Sequence, residues 1–112
     1  MDKNIKTLTK VLEKLDWTIS EISKTEFQIE TWSPAGEDIV DDISYDGTIE
    51  SIIESVKKIK DSFDVDEHVE IWIVGRGERG VPGTVRELVD DAEAIEKMYD
   101  DLYDAVCELI KE

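Results

Sequence analysis

The chain has 112 residues, of which 29 are acidic and 13 basic, so its formal net charge is −16, while 40% of its residues are hydrophobic. This length suits a single domain over residues 1–112 that buries a core without disulfides or metals. The negative charge opposes direct binding to nucleic acid or anionic membranes and favours basic partners. The sequence shows no signal peptide and no apolar run of about twenty residues, so we expect a soluble cytoplasmic protein.

The first part of the chain predicts one helix followed by a small sheet. Apolar residues recur at intervals of three and four over residues 3–15, which is the period of an amphipathic helix. From Trp17 the period becomes two, which predicts strands at 17–22 and 25–33. A third strand is predicted at 39–45, after the turn segment SPAGED. Strands joined by such short turns form an antiparallel meander.

Helical periodicity returns after the sheet. Thr48 is the predicted N-cap of a helix that ends near Phe63. Residues 64–74 fit either a strand or a helix, and we favour a helix because Asp64 with Glu67 resembles a helix start. The fold class is therefore α+β, with an N-terminal helix, a three-stranded antiparallel sheet, and C-terminal helices packed on one face that include a long acidic last helix.

The segment GRGERGVPG, residues 75–83, contains four glycines and a proline, which predicts a loop. Arg76 and Arg79 lie in this segment, and arginine in a loop of an acidic protein is a candidate anchor for a partner. A plain flexible connection is the alternative. Thr84 followed by Glu87 forms a capping box that opens the last helix.

The last helix carries an unbroken apolar seam with the spacing of heptads. Such a seam packs either on the other helices of the chain or on a second copy in a homodimer. Its members are Val85, Leu88, Ala92, Ile95, Tyr99, Leu102, Val106 and Leu109.

The charges of the last helix place acid beside acid, because five pairs of acidic residues are four positions apart. Each such pair costs an isolated helix about 0.2–0.5 kcal/mol, so a role other than stability is indicated. The carboxylates follow one another at intervals comparable to those of phosphates on a DNA strand. A solvated face that serves only solubility is the alternative. The candidate partner-binding residues are Glu87, Asp90, Asp91, Glu93, Asp100, Asp101, Asp104 and Glu108.

No pattern in the sequence supports catalysis, a metal site or a cofactor. The single cysteine, Cys107, lies among apolar helix positions and has no histidine at a spacing typical of a nucleophile pair. The segment DDISYDG resembles the start of a calcium loop, but Ile53 stands where the bidentate glutamate would be needed. Only one histidine, His68, is present. We therefore expect a protein that is not an enzyme.

Three segments resemble a group of small acidic proteins encoded by phages and integrative elements of Gram-positive bacteria. They are SPAGED (33–38), FDVDEHVEIWI (63–73) and GVPGTVRELVDDAEAIEKM (80–98), and the resemblance spans residues 29–110. It implies an accessory role in a bacterial host cell, similar to that of anti-CRISPR and antirestriction proteins.

The functional hypothesis joins this resemblance to the charge pattern. It describes a non-enzymatic inhibitor of a host defence that targets nucleic acid, such as a CRISPR effector nuclease. The acidic helix would occupy the basic channel of that nuclease in place of nucleic acid. The alternative is a homodimeric structural or regulatory interaction module that is acidic for solubility only.

Overall fold

The computed structural model describes residues 2–79 and 84–111, and it describes only the backbone of Trp72 and of residues 74–79 and 111. The described chain forms the α+β fold that the sequence predicts. Its elements are α1 (Lys3–Lys14), β1 (Thr18–Ser23), β2 (Glu26–Trp32), β3 (Asp38–Ser44), α2 (Ile49–Ser62), α3 (Val65–Arg79), α4 (Val85–Cys107) and a short 3-10 turn (Glu108–Lys111).

Helix α1 ends in a Schellman motif that directs the chain into the sheet. The N–H of Trp17 donates to the carbonyl of Leu12 at 2.8 Å, and the N–H of Asp16 donates to the carbonyl of Glu13 at 3.2 Å. Asp16 has a φ of 64°, in the left-handed position that glycine usually occupies in this motif. Leu12 and Trp17 are both buried, which supplies the apolar contact that accompanies such a cap.

The sheet is an antiparallel meander in the order β1-β2-β3. Its register places Ile19 opposite Ile29, and Phe27 opposite Ile43. Because side chains alternate between the two faces of a strand, Phe27, Ile29 and Ile43 share one face with Ile39, and all four are buried. This is the inner face of the sheet, and the helices cover it.

Helix α3 extends into the segment that was predicted to be a loop. Of the predicted range 64–74, residues 65–74 are helical as expected, and Asp64 directly before them accepts a hydrogen bond from the N–H of Glu67 at 3.1 Å. The helix does not stop at Gly75 but runs to Arg79, so the predicted loop is wrong for residues 75–79. Helix α3 contacts α4, and tertiary contact outweighs a glycine penalty of about 1 kcal/mol per residue. The rest of the predicted loop, residues 80–83, lies outside the described residues.

The seam of α4 is part of the chain's own core. Its residues from Leu88 to Leu109 are at most 7% exposed, whereas Val85 at the start is 48% exposed. Helix α4 contacts α1, α2 and α3, and Tyr99 of the seam stacks obliquely on Trp17 with ring centres 6.1 Å apart. The seam therefore has no free surface on which a second copy could pack. None of the helices in residues 2–79 and 84–111 is long and apolar enough to cross a membrane.

Candidate functional site

Helix α4 is fixed at its start by Thr84 and in its rotation by the buried seam. The side-chain oxygen of Thr84 accepts a hydrogen bond from the N–H of Glu87 at 3.1 Å, which confirms the predicted cap. Because the seam faces the core, residues about half a turn away from it point away from the sheet. We call this side the outer face of α4.

The outer face carries most of the predicted site residues, and all of these are exposed to solvent. Over residues 90–108 the rise of 1.5 Å per residue gives a length of about 27 Å, so the six carboxylates average roughly one per 5 Å. One strand of DNA carries a phosphate per roughly 3.4 Å of axis. Glu87 is also exposed but lies at the flank, next to the cap. The six residues are Asp90, Glu93, Asp100, Asp101, Asp104 and Glu108.

Asp91 does not belong to this surface, so its predicted role in partner binding is wrong. It is 6% exposed, and its carboxylate accepts hydrogen bonds from the Ser33 hydroxyl at 2.8 Å and the Ala35 N–H at 2.9 Å. The Ser33 oxygen in turn accepts from the N–H of Glu37 at 2.9 Å. Asp91 therefore fastens the turn between β2 and β3 to α4, and its charge is not available to a partner.

Two lysines modify the charge of the outer face. Lys97 contacts both carboxylate oxygens of Asp101, at 3.0 and 3.2 Å. Lys60 of α2 lies 3.8 Å from the carboxylate of Asp100 and 5.0 Å from the ring centre of Tyr103. Exposed pairs of this kind contribute roughly 0–1 kcal/mol each, and they lower the negative charge at the middle of the face. Asp104 is left as an exposed carboxylate one turn further on.

Arg76 and Arg79 are placed by the structure on a helix, not on a protruding loop. Both belong to the last turns of α3, and their side chains lie outside the described part of the chain. A contact role for these two arginines therefore remains a prediction from sequence.

A partly buried polar pair between Asp41 and Tyr99 escaped sequence analysis. The Tyr99 hydroxyl donates to the carboxylate of Asp41 at 2.8 Å, between β3 and α4. Burial raises the pKa of Asp41, although the hydrogen bond from Tyr99 opposes this shift. Burial and the charge of Asp41 raise the pKa of Tyr99 as well. The pair aligns α4 on the sheet. No local pattern could indicate it, since its members are 58 positions apart.

Two of the residues considered for metal binding, Asp46 and His68, have structural partners. Asp46 accepts hydrogen bonds from the N–H and hydroxyl of Thr48, which forms the turn before α2. The Nε2 atom of His68 lies 2.9 Å from the Glu37 carboxylate, joining α3 to the turn between β2 and β3. Among the described residues, no group of three or more His, Cys, Asp or Glu side chains is arranged to hold a metal ion.

The sheet has a second acidic surface that the sequence analysis did not single out. On the face opposite the helices, Trp32 is 60% exposed beside the carboxylates of Glu30 and Asp38. The signal was present in the sequence, because Trp32 continues the polar register of Glu26, Gln28 and Glu30. A tryptophan at a polar position of a strand is exposed to solvent, where its large ring is available for contact.

Comparison with known proteins adds no relative to these observations: no family model, curated protein or solved structure matches the chain.

Proposed function

We propose that this protein is a non-enzymatic inhibitor that binds a basic nucleic-acid channel of another protein through the outer face of α4. The target is a nucleic-acid-guided defence nuclease of a bacterial host, and the mode of action is similar to that of anti-CRISPR proteins. The carboxylates of α4 stand in for phosphates of the nucleic acid.

The observation that carries the proposal is the combination of a buried seam with an exposed acidic face on one helix. Because the seam is held by the chain's own core, the outer face has a fixed shape on which a partner can dock. Preorganised charges lose little conformational entropy on binding. A net charge of −16 also speeds encounter with a basic surface at low salt.

The test compares two variants of equal net charge. The first changes Asp100, Asp101 and Asp104 to asparagine and removes three charges from the outer face. The second changes Glu13, Glu21 and Glu54 to glutamine and removes three exposed charges from α1, β1 and α2. Each protein is added to purified CRISPR effector nucleases with their guide RNA, and DNA cleavage is measured at several salt concentrations.

We expect the parent and the glutamine variant to inhibit cleavage, and the asparagine variant to lose inhibition, most strongly at low salt. Equal loss in both variants would mean that only net charge matters. Full inhibition by the asparagine variant would refute a role for α4. Absence of inhibition by the parent across effectors would refute the proposed target class.

The alternative predicted from the sequence is a homodimer that packs through the seam of α4, and this seam is buried within the single chain. A dimer would have to use a surface other than the seam, since the seam is buried within one chain. Sedimentation of the parent protein measures its oligomeric state directly, and a monomer would remove this alternative.

A further inference from the structure

The outward side of the sheet is an uncovered surface with its own composition. The helices pack on the inner face, so the opposite face, which we call the open face, has no covering element in the described chain. On β2 and β3 the open face comprises Glu26, Gln28, Glu30 and Trp32 with Asp38, Val40, Asp42 and Ser44.

Apolar groups are exposed at one end of the open face. Trp32 is 60% exposed and Val40 is 44% exposed. An exposed tryptophan on a strand offers a flat contact surface at low entropic cost, and tryptophan is enriched among the residues that dominate binding energy.

Carboxylates surround these apolar groups. Glu30 pairs with Val40 across the strands, and Asp38 pairs with Trp32, so Glu30 and Asp38 are diagonal neighbours. A hydrogen bond to Asp38, together with repulsion from its charge, raises the pKa of Glu30. Neither carboxylate forms an ion pair with a base of the described chain. Two acids held together in this way are stabilised by a cation between them.

The same arrangement is repeated at the other end of the open face. Glu26 pairs with Ser44 and Asp42 pairs with Gln28, so Glu26 and Asp42 are also diagonal neighbours. They line a groove of about 600 Å³ between the sheet and α2, where Lys58 also lies and pairs with Glu54 at 3.8 Å. Each acid is four residues along its strand from its counterpart in the other pair, a distance of roughly 13 Å.

We propose that the open face binds an extended, arginine-bearing segment of a basic protein. One guanidinium lies over Trp32 and bridges Glu30 with Asp38, and a second enters the groove beside Glu26 and Asp42. An extended segment spans roughly 13 Å in four residues, so the two arginines are four positions apart. This surface is opposite the outer face of α4, and the inference does not depend on the function proposed for that helix.

Arginine fits this site better than lysine for two reasons. A planar guanidinium can donate to two carboxylates at once, and it stacks on an indole ring. A lysine ammonium is a compact charge that satisfies neither requirement fully. Nucleic acid is opposed by the four carboxylates, so the occupant is a protein segment.

The test uses the full chain and short fluorescent peptides rich in threonine and valine. One peptide has arginines at its first and fifth positions, a second has lysines there, and a third has its two arginines adjacent. Binding is measured by anisotropy for the parent, for Trp32→Ala, and for Glu30→Gln with Asp38→Asn. The matched control is Glu13→Gln with Glu96→Gln, which removes two exposed charges from helices α1 and α4. Circular dichroism checks that each variant is folded.

We expect the parent to bind the first peptide about tenfold more tightly than either other peptide, which is the gain from a correctly placed charge-assisted bidentate contact. Trp32→Ala and the Glu30 and Asp38 double variant should each weaken that binding about tenfold, and the control should change it less than about threefold. Absence of saturable binding by the parent, equal binding of lysine and arginine peptides, or an equal loss in the control would overturn the inference.

Discussion

Replacing Asp91 with alanine tests the assignment of this residue to structure. The change removes the acceptor for the Ser33 hydroxyl and for the Ala35 N–H, at 2.8 and 2.9 Å. A hydrogen bond to a charged group contributes about 1.5–3 kcal/mol, and both donors would lose their acceptor in a site that is 6% exposed. Removal of a buried charge offsets part of this loss. We therefore expect the free energy of unfolding to fall by about 2–4 kcal/mol.

For a chain of this length, that loss lowers Tm by roughly 9–17 °C. Asp91→Asn keeps an acceptor for the Ala35 N–H and should cost less, about 1 kcal/mol. Asp90→Ala is the matched control. The Asp90 carboxylate is next to Asp91 in the sequence but is exposed on the outer face, so its removal should change the free energy of unfolding by less than about 0.5 kcal/mol.

Urea unfolding at pH 7, followed by circular dichroism, gives all three free energies. The assignment fails if Asp91→Ala unfolds at the same urea concentration as the parent, or if Asp90→Ala is as damaging. In either case the two hydrogen bonds would not hold the turn between β2 and β3 against α4.

Asp41→Asn should raise Tm at pH 7 but not near pH 3. Burial lifts the pKa of the Asp41 carboxyl above its ordinary 3.8, so ionisation of Asp41 destabilises the folded state. This destabilisation is absent below pH 3.8 and grows as pH rises through the folded pKa. Asparagine still accepts from the Tyr99 hydroxyl, and equal gains at both pH values in thermal scans would contradict this account. Asp16→Gly should stabilise the protein by about 1 kcal/mol in urea unfolding, since glycine adopts φ of 64° without strain, and a loss of stability would argue against the strain. Leu102→Asp should unfold the protein and not merely separate a dimer, since Leu102 is 0% exposed, and a folded monomer by circular dichroism and sedimentation would contradict this. Raising salt from low to moderate concentration should raise Tm by screening a net charge of −16, and a flat or falling Tm would show that repulsion is not limiting.

Sequence predicted the elements whose apolar residues repeat with a clear period. The inner face of β2 and the seam of α4 are both buried on one side only, so the strand period of two and the helical steps of three and four are visible in the residues. The caps at Thr48 and Thr84 were equally predictable, because a capping side chain bonds to the backbone only three residues away.

The residues whose conformation or burial was predicted wrongly are those that depend on partners distant in the sequence. Residues 75–79 contain two glycines and look like a loop, yet they extend a helix that contacts α4. Asp91 lies three positions after Leu88 and four before Ile95, at the edge of the seam, and its partners are 56 and 58 positions earlier in the chain. The helical period places Asp91 beside the seam, whereas its hydrogen-bond partners Ser33 and Ala35 follow only from the tertiary structure. The candidate site was thus predicted for the exposed acids and missed for the open face.

The covering of the sheet by α4 has a consequence for the order in which this protein can acquire its fold. The inner face is complete once residue 44 has been made, but the seam that seals it extends to Leu109. During synthesis at about 5–20 residues per second, the part of that apolar surface covered by α4 stays exposed for several seconds, while α1 and α2 can already pack on β1 and β3. Contacts between such distant segments also slow folding in the finished chain, because a long loop must close before they form.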